Sequence, residues 1–412
     1  MKTVILFFQH INREIDMCRS IKNEIKSMSC GEVSVGIFSI DFEWVDAIKY
    51  AKRRGVDVVV MPWLRIDEHE GLIAPFLKIN QGLSVLSFDH EQISSPLSMQ
   101  ALLPSCEFAR SEVIHLAWSD FFSQQLIDAG VKEKNIIKTG NARLDALRQS
   151  TKTRAELSRE FSLDSQKKWI LFAENRSYVR EKTILTISDH IASGIPEQTV
   201  YDRLSFLSSS LDAFEKQINA LSPSFFDDYE FIYRTHPGQS LNIKLPSEVK
   251  AVSDYPISAW LHNIDALLTF GSTSAFEADA VGIPVFVHMP VPEEPDYMTF
   301  GIMEYIVINE LDSLSGKALA TACEFQNRNH IYEKYVGEAD GQASKRVAEA
   351  IIEMTSKRQS HAVKANLHIK EMTRKVLFEL LTKIMVKTKA LEKTKYPRNA
   401  YRERKDIPYY IS

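Results

Sequence analysis

Short apolar runs alternate with longer amphipathic stretches along the first third of the chain. The run Val56–Met61 is rich in valine and is stopped by Pro62. The stretches between the runs repeat apolar residues every three or four positions, which is typical of amphipathic helices, and the alternation predicts βαβ units and a parallel sheet. The predicted strands are Thr3–Phe8, Val33–Ile40, Val56–Met61, Ser84–Phe88, Val113–Trp118 and Asn135–Thr139, and the predicted helices are Ile11–Met28, Phe42–Arg54 and Phe121–Ala129.

A second series of the same kind follows the polar, helix-prone residues 151–167, which we interpret as a linker. Its predicted helices are Val200–Leu221 and Ser274–Val281, the latter closed by Gly282. The pattern predicts an α/β protein with two doubly wound, Rossmann-like domains, residues 1–150 and 168–356. The predicted strands of the second domain are Trp169–Ala173, Glu230–Tyr233, Val249–Val252, Ala266–Phe270, Pro284–His288 and Tyr305–Asn309.

The last stretch, residues 357–412, is predicted to be a basic amphipathic helical tail. It holds 15 Lys and Arg against five Asp and Glu, whereas the rest of the chain holds 35 and 49, so an acidic body precedes a basic tail. Such a helix can lie on an anionic membrane surface or pack its apolar face on protein, and the sequence leaves both open. The apolar face comprises Val363, Leu367, Met372, Val376, Leu377, Leu380, Leu381, Ile384 and Met385.

Composition narrows the class of protein. The apolar fraction of 44% and charged fraction of 25% are ordinary for a soluble globular protein. The four cysteines have no metal-ligand spacing, which indicates reduced thiols, as in a cytoplasmic protein, and makes zinc an unexpected partner. No apolar run approaches the ~20 residues that span a bilayer. The chain lacks a Gly-x-Gly-x-x-Gly after its first strand and a Walker loop, which disfavours the standard dinucleotide and P-loop sites.

Two stretches of the second predicted domain place anion-binding groups directly after a buried strand. In open α/β sheets, ligands lie outside the carboxyl ends of strands, and helix N-termini attract phosphate. An arginine can hold two phosphate oxygens at once, and a glutamate one turn into a helix can accept hydrogen bonds from ribose. We therefore expect a nucleotide phosphate site made by Arg234, His236, Gly271, Ser272, Thr273, Ser274 and Glu277.

Both stretches also have structural interpretations. Arg234 and His236 can satisfy loop carbonyls at the edge of a domain. Ser274 and Glu277 fit the spacing of a helix capping box, which is compatible with phosphate binding as well. The residues alone leave these interpretations open.

Candidate acid–base groups follow other predicted strands. Asp89, His90 and Glu91 come after the strand ending at Phe88 and are candidates to activate an acceptor hydroxyl, or else form a solvated loop. Glu174 follows the first strand of the second domain, where it is either a catalytic carboxylate or part of a hinge salt bridge. Asn141 can cap a helix after Thr139, and Arg143 can face the cleft expected between two such domains.

The motifs together resemble a known family. They are Thr139-Gly140-Asn141-Ala142-Arg143-Leu144-Asp145, Arg234-x-His236-Pro237, and Ser272-Thr273-Ser274-Ala275-Phe276-Glu277-Ala278 with Gly282-x-Pro284-Val285. This combination resembles bacterial surface-carbohydrate biosynthesis proteins over about residues 80–350. Those proteins are similar to GT-B glycosyltransferases, including the Kdo (3-deoxy-octulosonate) transferases of capsule, O-antigen and lipopolysaccharide assembly.

The resemblance implies a GT-B-like fold, with two Rossmann-like domains facing a cleft, and metal-independent transfer without a cofactor. The second domain would bind the nucleotide sugar and the first the acceptor. His236 and the Ser272–Ser274 turn would hold the donor phosphate, Glu277 the ribose, and Glu174 would face the reacting sugar. The catalytic candidates are Glu174, Asp89, Glu91 and His236, and the acceptor-side candidates are His90, Asn141 and Arg143.

We accordingly expect a glycosyltransferase that moves a sugar from a nucleotide-activated donor to a cell-surface polysaccharide. The His-Pro dipeptide and the Ser/Thr-rich turn also recur in sialyltransferases that use CMP-activated sugars, so a CMP-linked donor such as CMP-Kdo is expected. The tail would keep the protein on the inner face of the cytoplasmic membrane, and nucleic acid is not an expected partner of an acidic body. A glycerophosphotransferase, a sugar-nucleotide 2-epimerase and a non-catalytic glycan-binding or scaffold subunit are the alternatives.

Overall fold

The computed structural model describes residues 1–9, 11–147, 152–176, 179–180, 191, 196–236, 241–362, 365–366 and 368–387. Backbone contacts divide the chain into two compact units. The first unit comprises Met1–Gln92, Leu102–Ala146 and the chain from Gly337 onward, and the second comprises Ile93–Ala101 and Leu147–Val336. Each unit holds one six-stranded sheet in which all neighbouring strands are parallel.

The sheet of the first unit consists of β1 (Lys2–Phe8), β2 (Val33–Ser39), β3 (Val58–Met61), β4 (Ser84–Ser87), β5 (Ile114–Ala117) and β6 (Ile136–Lys138), in the order β2-β1-β3-β4-β5-β6. Its central strands are apolar on both faces because helices cover both sides. Numbered along the whole chain, its helices are α1 (Ile11–Met28), α2 (Trp44–Arg54), α3 (Asp67–Ile79), α5 (Glu107–Glu112), α6 (Asp120–Asp128), α7 (Ala142–Leu147), α15 (Ala343–Ser356) and α16 (Ile369–Lys387).

The sheet of the second unit consists of β7 (Lys168–Ala173), β8 (Tyr229–Arg234), β9 (Lys250–Val252), β10 (Ala266–Thr269), β11 (Val285–His288) and β12 (Ile306–Ile308), in the order β12-β11-β10-β7-β8-β9. Its helices are α4 (Pro96–Leu102), α8 (Arg154–Phe161), α9 (Glu197–Ala220), α10 (Phe225–Asp228), α11 (Ile257–Leu261), α12 (Ser274–Ala280), α13 (Gly316–Asn329) and α14 (Ile331–Val336). All twelve predicted strands are present, which confirms the predicted pair of doubly wound α/β sheets.

Helix α15 packs in the first unit, whereas the sequence-based boundaries place it at the end of the second domain. Val347, Ile351 and Met354 join the core that α1 and β1 form. The side chain of Arg346 donates to the carbonyl of Thr139 at 2.7 Å, and Asp145 accepts the N–H of Ser344 at 2.6 Å. The stretch from Thr139 to Asp145 thus holds the start of α15.

The tail helix α16 is attached to the first unit by polar contacts and by Met372, which packs against the apolar core. The buried carboxylate of Glu379 accepts the N–H of Val45 at 3.2 Å, and Lys375 and Lys383 pair with Asp41 and Asp46 at 3.1 and 2.7 Å. Several apolar side chains of the same helix are 42–72% exposed: Ile369, Val376, Leu377, Phe378, Leu380, Leu381 and Ile384. Val363, Leu367, the side chain of Met385 and the basic residues after Lys387 lie outside the described residues. Within the described part, no helix is long and apolar enough to cross a bilayer.

A charged pair is buried in the first unit between β4 and β5. His115 donates from Nδ1 to Asp89 at 2.7 Å and from Nε2 to the carbonyl of Ala109 at 2.9 Å, and Ser87 donates to the other oxygen of Asp89 at 2.8 Å. Because both partners of the imidazole only accept, both ring nitrogens carry a proton. Burial opposes both charges, yet the contact raises the pKa of His115 and lowers that of Asp89.

We expect this pair to stabilise the protein most between about pH 4 and 6.5. The lowered pKa of Asp89 stabilises the native state above its ordinary value of 3.8, and the effect is lost as the pH falls through the native pKa. The raised pKa of His115 stabilises it fully below 6.5, and the effect is lost as the pH rises through the native pKa. His115→Gln should therefore lower the free energy of unfolding at pH 5 by about 3–5 kcal/mol, and by less at pH 8.

Denaturant unfolding of both proteins from pH 3 to 9 measures the difference in free energy of unfolding between wild type and His115→Gln. The exposed His330, replaced by Gln, is the matched control and should change the free energy of unfolding by less than about 0.5 kcal/mol at every pH. A difference that stays constant from pH 5 to 8 would show that the native pKa of His115 is not raised, and one that grows with pH would show that His115 is neutral in the native protein.

Candidate functional site

The predicted anion-binding residues gather at the carboxyl edge of the second sheet. Strand β7 pairs with β8 on one side and β10 on the other, so the loops after these three strands are neighbours. From β7 the chain adds β8 and β9 on one side of the sheet, and it then returns to add β10, β11 and β12 on the other side. The order reverses between β7 and β10, and such a switch point is where open α/β sheets bind ligands. The hydroxyl of Thr269 donates to the carbonyl of Ala173 at 3.0 Å and joins the two strand ends.

Arg234 ends β8 and is 7% exposed. Its Nη2 donates to the carbonyl of Tyr255 at 3.0 Å, but its buried Nε has no hydrogen-bond partner among the described residues. Burial lowers the pKa of Arg234 to about 10, although the negative charge of the buried Glu277 opposes that change. A buried guanidinium nitrogen without an acceptor is unfavourable, and an incoming oxyanion would supply one.

The Gly271–Ser274 turn satisfies most of its own donors. The N–H groups of Gly271 and Ser272 donate to the hydroxyl of Thr269 at 3.3 and 3.0 Å, and the N–H of Ser274 donates to the hydroxyl of Ser272 at 3.3 Å. Thr273 precedes α12 without a side-chain capping bond, and the helix begins at Ser274 itself. Gly271 has a φ of 144°, which favours glycine there. The turn therefore offers hydroxyls to a ligand rather than a row of unused N–H groups.

Glu174 lies directly after β7 and is 3% exposed. Its N–H donates to the carbonyl of Arg234 at 3.1 Å, and its Oε1 accepts the N–H of Arg176. Arg176 forms an ion pair with Glu293 at 2.8 Å, and its guanidinium lies 4.5 Å from the centre of the Phe270 ring. Burial raises the pKa of Glu293 despite this pairing. The structure thus places Glu174 beside Arg234 and the Gly271 turn at the same edge.

His236 is the remaining predicted residue of the second unit. It follows β8 and is exposed, while Pro237 and Gly238 lie outside the described residues. Thr269 and Tyr255 were not expected at this site. Thr269 is a strand residue whose role depends on the register of β7 and β10, and Tyr255 contributes through its backbone carbonyl.

In the first unit, the predicted residues divide between structural contacts and the sheet edge. Asp89 is fully buried, has a left-handed φ of 45° and bonds His115 and Ser87 through both oxygens, so its position serves the core better than a substrate. His90 is buried and contacts the carbonyl of Pro62 through Nδ1 at 3.2 Å, and Glu91 is partly exposed.

The remaining acceptor-side candidates lie after β6. Asn141 caps α7 by accepting the N–H of Arg143 at 3.0 Å, as its residue type predicts. Arg143 is partly exposed. Gly140 has a φ of 79°, and a Cβ there would lie 2.8 Å from Nη2 of Arg346, so this part of the motif fits closely against α15.

One group of side chains in the first unit has the residue types of a metal site. Ligand atoms of Asp67, Glu70 and Cys106 lie within 4.8 Å of one another. Glu70, however, already accepts the N–H and the side-chain amide of Asn366 at 3.0 and 2.9 Å. Burial raises the pKa of Cys106 to about 11, which keeps the thiol protonated and able to donate to Glu70. These contacts explain the cluster without an ion.

No protein-family model and no curated protein matches the chain in sequence. Solved structures do match it in fold. The wall teichoic acid polymerase TagF matches with a TM-score of 0.53 and 15% identity over 86% of this chain and 89% of that one. A variant of TagF soaked with CDPG matches with a TM-score of 0.51 and 13% identity over the same shares of the two chains.

UDP-GlcNAc 2-epimerase from Methanocaldococcus jannaschii matches with a TM-score of 0.50 and 13% identity, over 86% of this chain and 100% of that one. At such identities the likeness is one of fold and not of activity. The two parallel six-stranded sheets with their flanking helices give this chain a GT-B-like, two-domain α/β fold.

Proposed function

We propose that this protein is a transferase that takes a nucleotide-activated donor and builds a bacterial surface polysaccharide. The observation that carries the proposal is Arg234, a buried arginine at the carboxyl edge of the second sheet whose Nε has no hydrogen-bond partner among the described residues. A nucleotide phosphate supplies the missing acceptor, and Ser272 and Thr273 add hydroxyl donors beside it. Glu277, whose charge acts on Arg234, is the proposed ribose ligand.

The structural neighbours support the class of donor. TagF is a wall teichoic acid polymerase and was studied with CDPG, and the epimerase acts on UDP-GlcNAc. We propose a glycosyl donor linked to CMP, such as CMP-Kdo, as the finer assignment. Glu174 is the proposed catalytic carboxylate, because it follows β7 at the same edge as Arg234, and Glu91 and His236 remain the other candidates.

Two other reactions on this fold are distinguishable by their products. A glycerophosphotransferase would attach glycerol phosphate to the acceptor, and a 2-epimerase would convert a free nucleotide sugar without any acceptor. An epimerase also has no evident use for the exposed apolar face of α16. Mass spectrometry of products made from CDP-glycerol, UDP-GlcNAc and CMP-Kdo separates the three reactions. A non-catalytic subunit would give no product, and Glu174→Ala would leave its function intact in a complementation assay.

We further propose that α16 attaches the protein to an anionic membrane. Its polar side chains hold it on the first unit, so its exposed leucines face away from those contacts. The sequence continues into a basic segment that includes Lys389, Lys393, Arg398 and Arg402. Apolar side chains beside basic ones match an anionic lipid surface, where a lipid-linked acceptor would be found.

Nucleotide binding tests the donor site. We expect CMP to bind to the wild-type protein, measured by isothermal titration beside UDP and GDP. Arg234→Met should weaken binding about 10- to 100-fold, because it removes a charge-assisted hydrogen bond to phosphate. Arg159→Met, at an exposed position of α8 in the same unit, is the matched control and should bind like wild type. Absence of binding to all three nucleotides, or equal binding by Arg234→Met, contradicts the proposal.

Lipid binding tests the role of α16. Replacing both Leu377 and Leu381 with Glu should reduce binding to phosphatidylglycerol vesicles about tenfold or more, because two apolar side chains no longer enter the interface. The control variant combines Lys370→Gln with Thr373→Glu, which changes the charge equally at exposed positions of the same helix. Co-sedimentation measures binding, and size-exclusion chromatography with light scattering measures mass. Unchanged lipid binding with a loss of dimer would assign this face to a second copy of the chain.

A further inference from the structure

Arg65 is a buried arginine in the first unit that the donor site does not use. It lies in the loop after β3 and is 8% exposed. Its Nε and Nη2 are both buried and find no hydrogen-bond partner in the part of the chain that the structure describes. Native proteins rarely leave buried polar groups unpaired, and a guanidinium is among the most costly to leave so.

The loop itself is rigidly built, so the position of Arg65 is determined by its backbone. The N–H of Arg65 donates to Nδ1 of His69 at 3.1 Å, and its carbonyl accepts the N–H groups of Ser105 and Cys106 at 2.7 and 3.2 Å. The ring of His69 lies against that of Trp63, with a centroid distance of 4.1 Å and the two planes tilted by 40°. Burial lowers the pKa of His69 to about 3, which keeps the ring neutral beside the arginine.

The loop occupies the switch point of the first sheet. Strand β2 lies on one side of β1, and β3 to β6 follow one another on the other side. The strand order therefore reverses between β1 and β3. Trp63 after β3 donates to the side chain of Gln9 after β1 at 2.9 Å, and this bond spans the reversal. The first sheet therefore presents Arg65 at the edge position where open α/β sheets bind ligands.

The nearby charges leave Arg65 available to an anion. Asp89 and Glu91 are the two carboxylates whose charge acts on it. Asp89 is matched by the imidazolium of His115 and uses both oxygens in hydrogen bonds. Glu91 is partly exposed, so water screens its charge. The positive charge of Arg65 is thus only partly compensated inside the first unit.

We propose that Arg65 forms an anion-binding site in the first unit, which takes a phosphate or carboxylate group of the molecule to which the donor is transferred. The existence of the site rests on the contacts of Arg65 alone, whereas its assignment to the acceptor rests on the proposed transferase function. The acceptor class would then be an acidic glycan or a phosphate-linked one. Neutral acceptors would lack the group that satisfies Nε and Nη2.

Thermal unfolding with added anions tests the site. In a chloride buffer at constant ionic strength, inorganic phosphate or acetate at ten times its Kd should raise the Tm of wild type by about 3 °C. The phosphate arm detects a phosphate ligand and the acetate arm a carboxylate ligand. Arg65→Met should lose part of the rise, and Arg65→Met with Arg234→Met should lose the rest, because the second unit also binds phosphate. Arg110→Met is the control, since Nε of Arg110 already donates to Pro104 at 3.1 Å.

The stability of Arg65→Met without added anion decides between a ligand site and a structural counter-ion. A methionine of similar length removes a buried charge without acceptors, so its Tm should equal or exceed that of wild type. A Tm several degrees lower, together with an anion effect as large as in wild type, overturns the proposal and makes Arg65 a counter-ion of Asp89 and Glu91. If Arg65→Met does not fold, Arg65→Lys replaces it, and the fluorescence of Trp63 reports phosphate binding. A change in fluorescence with phosphate equal to that of wild type would also overturn the proposed site.

Nucleotide titrations keep this outcome separate from that of the proposed function. If CMP binds but no anion effect depends on Arg65, only the acceptor site is wrong. If no nucleotide binds but the rise in Tm with added anion still depends on Arg65, the anion site is supported and the transferase proposal is wrong.

Discussion

The parallel pairing of every strand is the constraint on which the candidate sites depend. In each sheet all carboxyl ends lie along one edge, so residues far apart in sequence meet there. The register of the strands determines which residues are neighbours: Ala173 aligns with Arg234 on one side and with Thr269 on the other. Glu174, Arg234 and the Gly271 turn are neighbours because the backbone hydrogen bonds of three strands align them.

A buried arginine at that edge recurs in both units. In the part of the chain that the structure describes, Arg65 and Arg234 each have a buried Nε without a hydrogen-bond partner, although the backbone around each is well bonded. Burying each guanidinium costs free energy of desolvation on folding, and a hydrogen bond to a ligand oxyanion would offset part of that cost. The two residues differ in their neighbours, since Arg234 has the buried Glu277 and Arg65 has the partly exposed Glu91. This arrangement favours anionic groups at both edges over purely neutral ligands.

The strands, the sheet type and the edge of the second sheet were predictable from the sequence, because apolar runs and turn residues are local signals. The assignment of α15 to the first unit was not, since the contacts of Arg346 with Thr139 and of Asp145 with Ser344 join positions about two hundred residues apart. The same limit explains Asp89. Its residue type suits catalysis, but its burial against His115 depends on the neighbouring strand. Arg65 carries no signal in the sequence, because the burial of its guanidinium depends on the folded loop around it.

A crystal structure of the protein with bound CMP tests the central claim most directly. We expect a phosphate oxygen within about 3 Å of Nε of Arg234. Its neighbours would be the hydroxyls of Ser272 and Thr273, with the ribose against Glu277. A nucleotide bound elsewhere in the chain, or an Arg234 that keeps its present contacts while the nucleotide is bound, would contradict a donor site at the carboxyl edge of the second sheet.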